Sequence, residues 1–196
     1  MQRPTRGFGL LERFLARQRF RKASSVITPS LRKGCLLDIG CGSSACFLAQ
    51  ERFAEKHALD QLPKPLCCPP DITWHTQDLN LKARLPFDAG QFHVITMLAV
   101  IEHLRPESVA DLFQECHRCL ATGGLLIVTT PDARSDRLLQ IMARLRLVSA
   151  NEIHEHTFAY TLPMIGWCLG HASFQLKNSQ FGRFELGLNL WATAKR

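Results

Sequence analysis

Long apolar runs are missing from this chain. No stretch approaches the roughly 18 consecutive apolar residues that a membrane-spanning helix needs. Nor do the first 33 residues hold the unbroken apolar segment of a secretory signal. A soluble or peripheral cytoplasmic protein is therefore expected. Internal repeats and biased tracts are absent too, which excludes collagen-like and low-complexity architectures. What remains is ordinary globular composition: 196 residues, 46% hydrophobic and 21% charged, enough for one domain with a full core.

Acids are scarce at the amino-terminal end. Residues 1–33 hold nine Lys/Arg against a single acid, Glu12, while the other 163 residues carry 15 bases and 16 acids. The net charge of +7 thus belongs to an arm, and a uniformly basic nucleic-acid-binding face is not indicated. A second CxxC pair is also missing. Cys116-His117-Arg118-Cys119 stands alone in a helix-like run, and adjacent Cys67-Cys68 lacks the spacing of a four-ligand zinc site. Eight cysteines in a chain of this size, several inside apolar segments, read as reduced core thiols, with no metal expected.

What is present alternates. Residues 8–20 carry Leu10, Leu11, Phe14 and Leu15 at helical spacing between arginines, giving a basic amphipathic arm over 1–30. From 31 to 196, short apolar runs alternate with amphipathic ones. Strands are expected at 35–39, 56–60, 72–77, 92–97, 125–130, 174–178 and 188–194, and helices at 45–54, 107–120, 134–147 and 162–171. Such alternation implies an α/β fold, a doubly wound and mostly parallel sheet with helices on both faces. The short link 180–187 suits an antiparallel hairpin at one sheet edge, because a parallel crossover needs about a dozen residues or more. The proline-rich stretch 61–71 reads as an irregular loop.

The chemistry centres on Cys35-Leu36-Leu37-Asp38-Ile39-Gly40-Cys41-Gly42-Ser43-Ser44-Ala45, a strand, a glycine turn and a helix start. Glycines at 40 and 42 permit a tight turn and close ligand approach. Asp60 ends the second strand, where an acid can accept two ribose hydroxyls. Asp78, after the third strand, can receive an adenine amino group. Three acids at successive carboxyl ends favour a ligand at the switch point of the sheet over three unrelated caps.

These segments, LLDIGCGSS, HALDQLP, QDL, LPFDAGQFHVITMLAVIEHL and LATGGLLIVTTP, resemble in order the small class I, Rossmann-like S-adenosylmethionine-dependent methyltransferases, of the ubiquinone/menaquinone or "type 11" flavour. The resemblance covers 31–196, and the arm is similar to the family's N-terminal lid helix. It implies a seven-stranded sheet with an antiparallel last strand. It also implies S-adenosylmethionine as cofactor, converted to S-adenosylhomocysteine. Asp38, Gly40, Cys41 and Gly42 would lie beside the methionine moiety, Asp60 and Gln61 at the ribose, and Asp78 and Leu79 at the adenine. Met97 and Leu98, in the segment 97–100, would floor the site below the sulfonium. Gly123-Gly124 reads as a turn into the fifth strand. Two positions depart from the family pattern: Ser44 where glycine is usual, and His93 where aspartate is.

The acceptor is less constrained. The chain lacks the Pro-Pro-Tyr and Pro-Cys motifs of the family's DNA-base enzymes, so DNA is disfavoured. Ala99 replaces the first acid of the E-x-x-E-H pattern seen in metal-dependent relatives. The expectation is methyl transfer to an oxygen of a quinone-like, lipid or sugar-containing small molecule. The alternatives are an RNA methyltransferase using the basic arm, or a catalytically weak cofactor- or partner-binding module. A hydroxyl acceptor needs a base, and histidine titrates near working pH. The candidates are His156, His103 and, in reserve, Glu155, beside His154 and Tyr160. The arm is expected to help close the substrate side, with peripheral membrane contact as its second reading.

Overall fold

The run Cys35–Ile39 carries leucine on both sides of its pleat, as a strand covered on both faces requires. The computed structural model describes residues 11–81, 84–135 and 157–196. Within them, this run is β1 of one seven-stranded sheet. The others are β2 (Glu55–Asp60), β3 (Ile72–Thr76), β4 (Phe92–Leu98), β5 (Leu120–Pro131), β6 (Ser179–Phe184) and β7 (Asn189–Lys195). Their order is β3-β2-β1-β4-β5-β7-β6. The first five are parallel, and β7 runs antiparallel to both β5 and β6. The doubly wound sheet with a reversed last strand is as the sequence predicts.

Two apolar layers sandwich the sheet. On one face Leu37, Ile39, Ile95, Met97, Leu126 and Val128 meet α3 (Pro106–Cys119) and α4 (Leu162–His171). Burial in α3 falls on Val109, Leu112, Phe113, Cys116 and Cys119, a helical stripe that also absorbs the lone CxxC as core. All eight cysteines are free thiols. On the other face Leu36, Val94, Leu125 and Ile127 meet α1 (Glu12–Val26) and the short α2 (Cys46–Gln50).

The second half of α1 is tied down firmly. Ala23 and Ile27 are buried, and Phe20 packs on Phe47 with ring centroids 5.5 Å apart. Lys22 Nζ sits 3.4 Å from the Trp191 ring centroid, and Gly182 lies so close beneath that ring that a Cβ would approach its Nε1 to 2.5 Å. Arg32 bonds Ser24 through backbone and side-chain oxygens and pairs with Glu51.

Three expectations need correction. Residues 174–178 are not the sixth strand. They hold the buried anchor Phe174 and a 3₁₀ turn at Leu176–Asn178. The strand is Ser179–Phe184, all but its first residue inside the stretch expected to be a link. It is a sheet edge covered on one side, so its sequence has no apolar run to mark it. The helix expected over 45–54 spans only Cys46–Gln50, because Ala45 is left-handed and the chain turns extended at Glu51. Of the helix expected over 134–147, residues 134 and 135 belong to a 3₁₀ turn and the remainder lies outside the described residues.

Candidate functional site

The carboxyl ends of the parallel strands β1, β2 and β4 bring their polar side chains close to one another. Asp38 of β1 and Thr96 of β4 are register partners, and Thr96 Oγ1 donates to Asp38 Oδ1 at 2.5 Å. Both are buried. Burial pushes the Asp38 carboxyl up to about 7, with the Thr96 bond opposing the rise and nearby Asp60 adding to it. After Ile39 the chain turns through Gly40 (φ +69°) and Gly42 (φ +70°). At Gly40 an added Cβ would lie 2.5 Å from Val100 Cγ2, so only glycine fits there. Asp60, buried at the end of β2, reaches across to this turn. Its Oδ2 accepts the Gly42 N–H at 2.9 Å and its Oδ1 accepts the Leu62 N–H at 3.0 Å.

Structure brings Asp38, Gly40, Gly42 and Asp60 together through these contacts. Cys41 is buried beside them, its thiol held protonated by burial and the two carboxylates. Gln61 is exposed, and Met97 is fully buried one position before half-buried Leu98. Asp78 is bonded locally, its Oδ1 accepting the Asn80 N–H at 2.8 Å, and neighbouring Leu79 is buried. Thr96 carries no motif. The sequence offers only a lone hydroxyl in the apolar β4 run, and its place opposite Asp38 comes from strand pairing.

The two departures have different settings. Ser44 is buried with Oγ 3.1 Å from Cys46 Sγ, and the left-handed backbone falls on Ala45 (φ 44°) rather than on Ser44. Ser44 therefore needs none of glycine's conformational range. His93 lies at the opposite edge of the sheet, where its Nδ1 accepts the Cys35 N–H at 3.2 Å and its ring covers Gly34.

A second polar group gathers beyond β4 and β5. Glu102 is buried, its Oε2 accepts Thr130 Oγ1 at 2.9 Å, and its carbonyl accepts the Thr157 N–H at 2.8 Å. Burial raises its pKa, opposed chiefly by His103 and also by Arg19 of α1. Arg19 likewise acts on Glu185, whose carboxyl burial raises to about 6. Tyr160 is buried against Phe158, and its hydroxyl has no hydrogen-bond partner among the described residues. His103 sits in the 3₁₀ turn that follows β4. His154, Glu155 and His156 lie outside the described residues. Among the described residues, four of the five non-glycine residues with positive φ, Ala45, Ala99, Glu185 and Leu186, occupy loops at this same carboxyl edge. Strain of that kind concentrates at ligand sites.

A family described as methyltransferase domain matches residues 10–178. Among solved structures, the fold is similar to that of a SAM-dependent methyltransferase from Archaeoglobus fulgidus, at 15% identity over 93% of this chain and 94% of that one, TM-score 0.70. It is similar to an S-adenosylmethionine-dependent methyltransferase from Mesorhizobium loti, at 19% identity over 93% and 100%, TM-score 0.67. It also resembles phosphoethanolamine N-methyltransferase 2 of Haemonchus contortus, held with phosphomonomethylethanolamine and S-adenosylhomocysteine, at 13% identity over 92% and 53%, TM-score 0.64. No curated protein matches in sequence.

Proposed function

This chain belongs to the methyltransferase-domain family, and from that premise we propose that it transfers a methyl group from S-adenosylmethionine to an oxygen of a small-molecule acceptor. The observation that carries the cofactor assignment is the Asp38–Thr96, Gly40–Gly42 and Asp60 network. A buried carboxyl with a raised pKa beside a glycine turn fits the cofactor's ammonium group. An ionised carboxylate accepts at about four positions, so the two backbone bonds that aim Asp60 are compatible with ribose hydroxyls. Gly40 and Gly42, with Cys41 between them, border the methionine moiety. Gln61 follows Asp60 at the ribose, Asp78 and Leu79 take the adenine, and Met97 and Leu98 form the floor.

When bound, the cofactor supplies an electrophilic methyl group. The protein's part is alignment for in-line attack and removal of the acceptor proton. His103, after β4, is the base we assign among the described residues, and His156 and Glu155 are the alternative bases for the same role. Arg19, acting on Glu102 and Glu185, supports the reading of the outer half of α1 as the acceptor-side lid. A quinone-like, lipid or sugar-containing hydroxyl suits this polar edge.

A second reading has one observation in its favour. Arg13, Arg17 and Arg21 recur every fourth residue on the exposed side of α1, a stripe able to follow RNA phosphates. No helix among the described residues is long and apolar enough to cross a membrane. The test is turnover: S-adenosylhomocysteine release with phenolic, lipid and sugar acceptors, against transfer to RNA in rising salt. Release with a small acceptor upholds the proposal. Salt-sensitive RNA transfer alone replaces it, and cofactor binding without any turnover leaves a binding module.

A further inference from the structure

A separate polar cluster occupies the sheet edge opposite the glycine turn. Cys35 opens β1, Glu55 opens β2, and the two are register partners. His57 follows two residues after Glu55, so both side chains leave the same face of the pleat. Cys35 Sγ donates to Glu55 Oε2 at 3.0 Å, and His57 Nε2 lies 3.8 Å from that same oxygen. All three ligand atoms lie within 4.8 Å of one another. Behind them, His75 Nε2 of β3 is 3.2 Å from His57 Nδ1, with the rings stacked at 15°. Phe87 and Phe92 close the inner side edge-on to His57. The outer side is open, since the Glu55 side chain is 67% exposed.

We propose that Cys35, Glu55 and His57 form a zinc-class metal site, completed by one solvent water and independent of methyl transfer. Tetrahedral zinc, with bonds of about 2.0–2.3 Å, holds its ligand atoms roughly 3.3–3.6 Å apart. Two of the three separations, 3.0 and 3.8 Å, bracket that range, and the third lies within 4.8 Å. A sulfur, nitrogen and oxygen donor set suits zinc or cobalt and disfavours magnesium and calcium. His75 is the positioning residue. Its Nε2, 3.2 Å from His57 Nδ1, accepts that N–H and leaves the His57 Nε2 lone pair facing Cys35 and Glu55. On binding, the Cys35 thiol proton passes to solvent and the thiolate pair to the metal, replacing the thiol–carboxylate hydrogen bond. The ion would clamp β1 to β2 at their origins, roughly 13 Å of strand from Ile39 and the glycine turn. Its ligands converge through strand register, so no CxxC spacing announces them.

The test is titration of the metal-free full-length chain with cobalt(II). The expected result is one bound ion with tetrahedral absorption and a thiolate-to-cobalt charge-transfer band, displaced by zinc, with about one proton released. Cys35→Ser removes the band, Glu55→Gln at an exposed site weakens binding, and His75→Phe weakens it by about 10–100-fold. Cys67→Ser, at the exposed cysteine elsewhere, leaves it unchanged. Absence of the band, its survival in Cys35→Ser, or its loss in Cys67→Ser overturns the site.

Discussion

Two aspartates near β2 separate affinity from stability. Asp60 is bonded to the glycine turn, whereas Asp71 pairs with Lys56 Nζ at 2.7 Å. Lys56 is buried and also donates to the carbonyls of Leu48 in α2 and of Glu51 just after it. Asp60→Ala is therefore expected to weaken S-adenosylhomocysteine binding, and Asp71→Ala to lower Tm with affinity kept. Calorimetry giving equal affinity losses for the two removes the ribose assignment. Asp38 gives a pH signature. Its folded pKa, about 7, lies above the unfolded value near 3.9. The folded state thus holds a proton that the unfolded chain has lost, and this contribution to stability falls as pH rises from about 4 to 7. On the proposed role of Asp38 the ionised form takes the cofactor's ammonium, so affinity should rise over the same window, by at most about tenfold per pH unit. Asp38→Asn should flatten both trends in thermal and binding titrations. At the acceptor edge, His103→Ala is expected to cut kcat by about 100-fold or more while leaving cofactor affinity unchanged. Near-normal turnover with an unchanged pH profile would remove His103 as the base.

Among the elements, α1 carries two duties along one length. Its middle turn holds Arg19 within electrostatic reach of Glu102 and Glu185, and its inner turns supply Phe20 and Ala23, with Ile27 at the C-cap, to a core layer. Phe20→Ala should cost about 1–2 kcal/mol in chemical denaturation, because the half-buried ring loses its Phe47 contact. Phe14→Ala, at a 55% exposed ring, should change stability by less than about 0.5 kcal/mol. Legibility in the sequence followed burial. β1, β4 and the later part of β5 stood out because strands covered on both faces are apolar on both sides of the pleat, and Asp38 and Asp60 stood out as acids at or near strand ends. β6 escaped notice because an edge strand with Gln180 and Arg183 exposed has little apolar signal. Thr96 and the Cys35–Glu55–His57 group escaped for another reason: each depends on which residues strand pairing sets side by side, and pairing is invisible in linear spacing.

For the whole molecule, cofactor binding and folding are one linked equilibrium. Ligand present at about 100 times its Kd should stabilise the fold by roughly 2.7 kcal/mol. A thermal scan should show S-adenosylmethionine and S-adenosylhomocysteine raising Tm while NAD leaves it unchanged; a rise with NAD as well would count against the adenosyl assignment. The placement of β7 between β5 and β6 bears on how the chain is made. Synthesis runs from the amino end and delivers β1 to β5 first, already in their final parallel order. Through all the residues between Pro131 and Asn189, the nascent sheet ends at β5, whose hydrogen-bonding flank from Leu125 to Pro131 has no partner. An apolar strand bare along one edge is a template for pairing with another chain. The protein's exposure to aggregation is therefore greatest on the ribosome, in the interval before its seventh strand emerges.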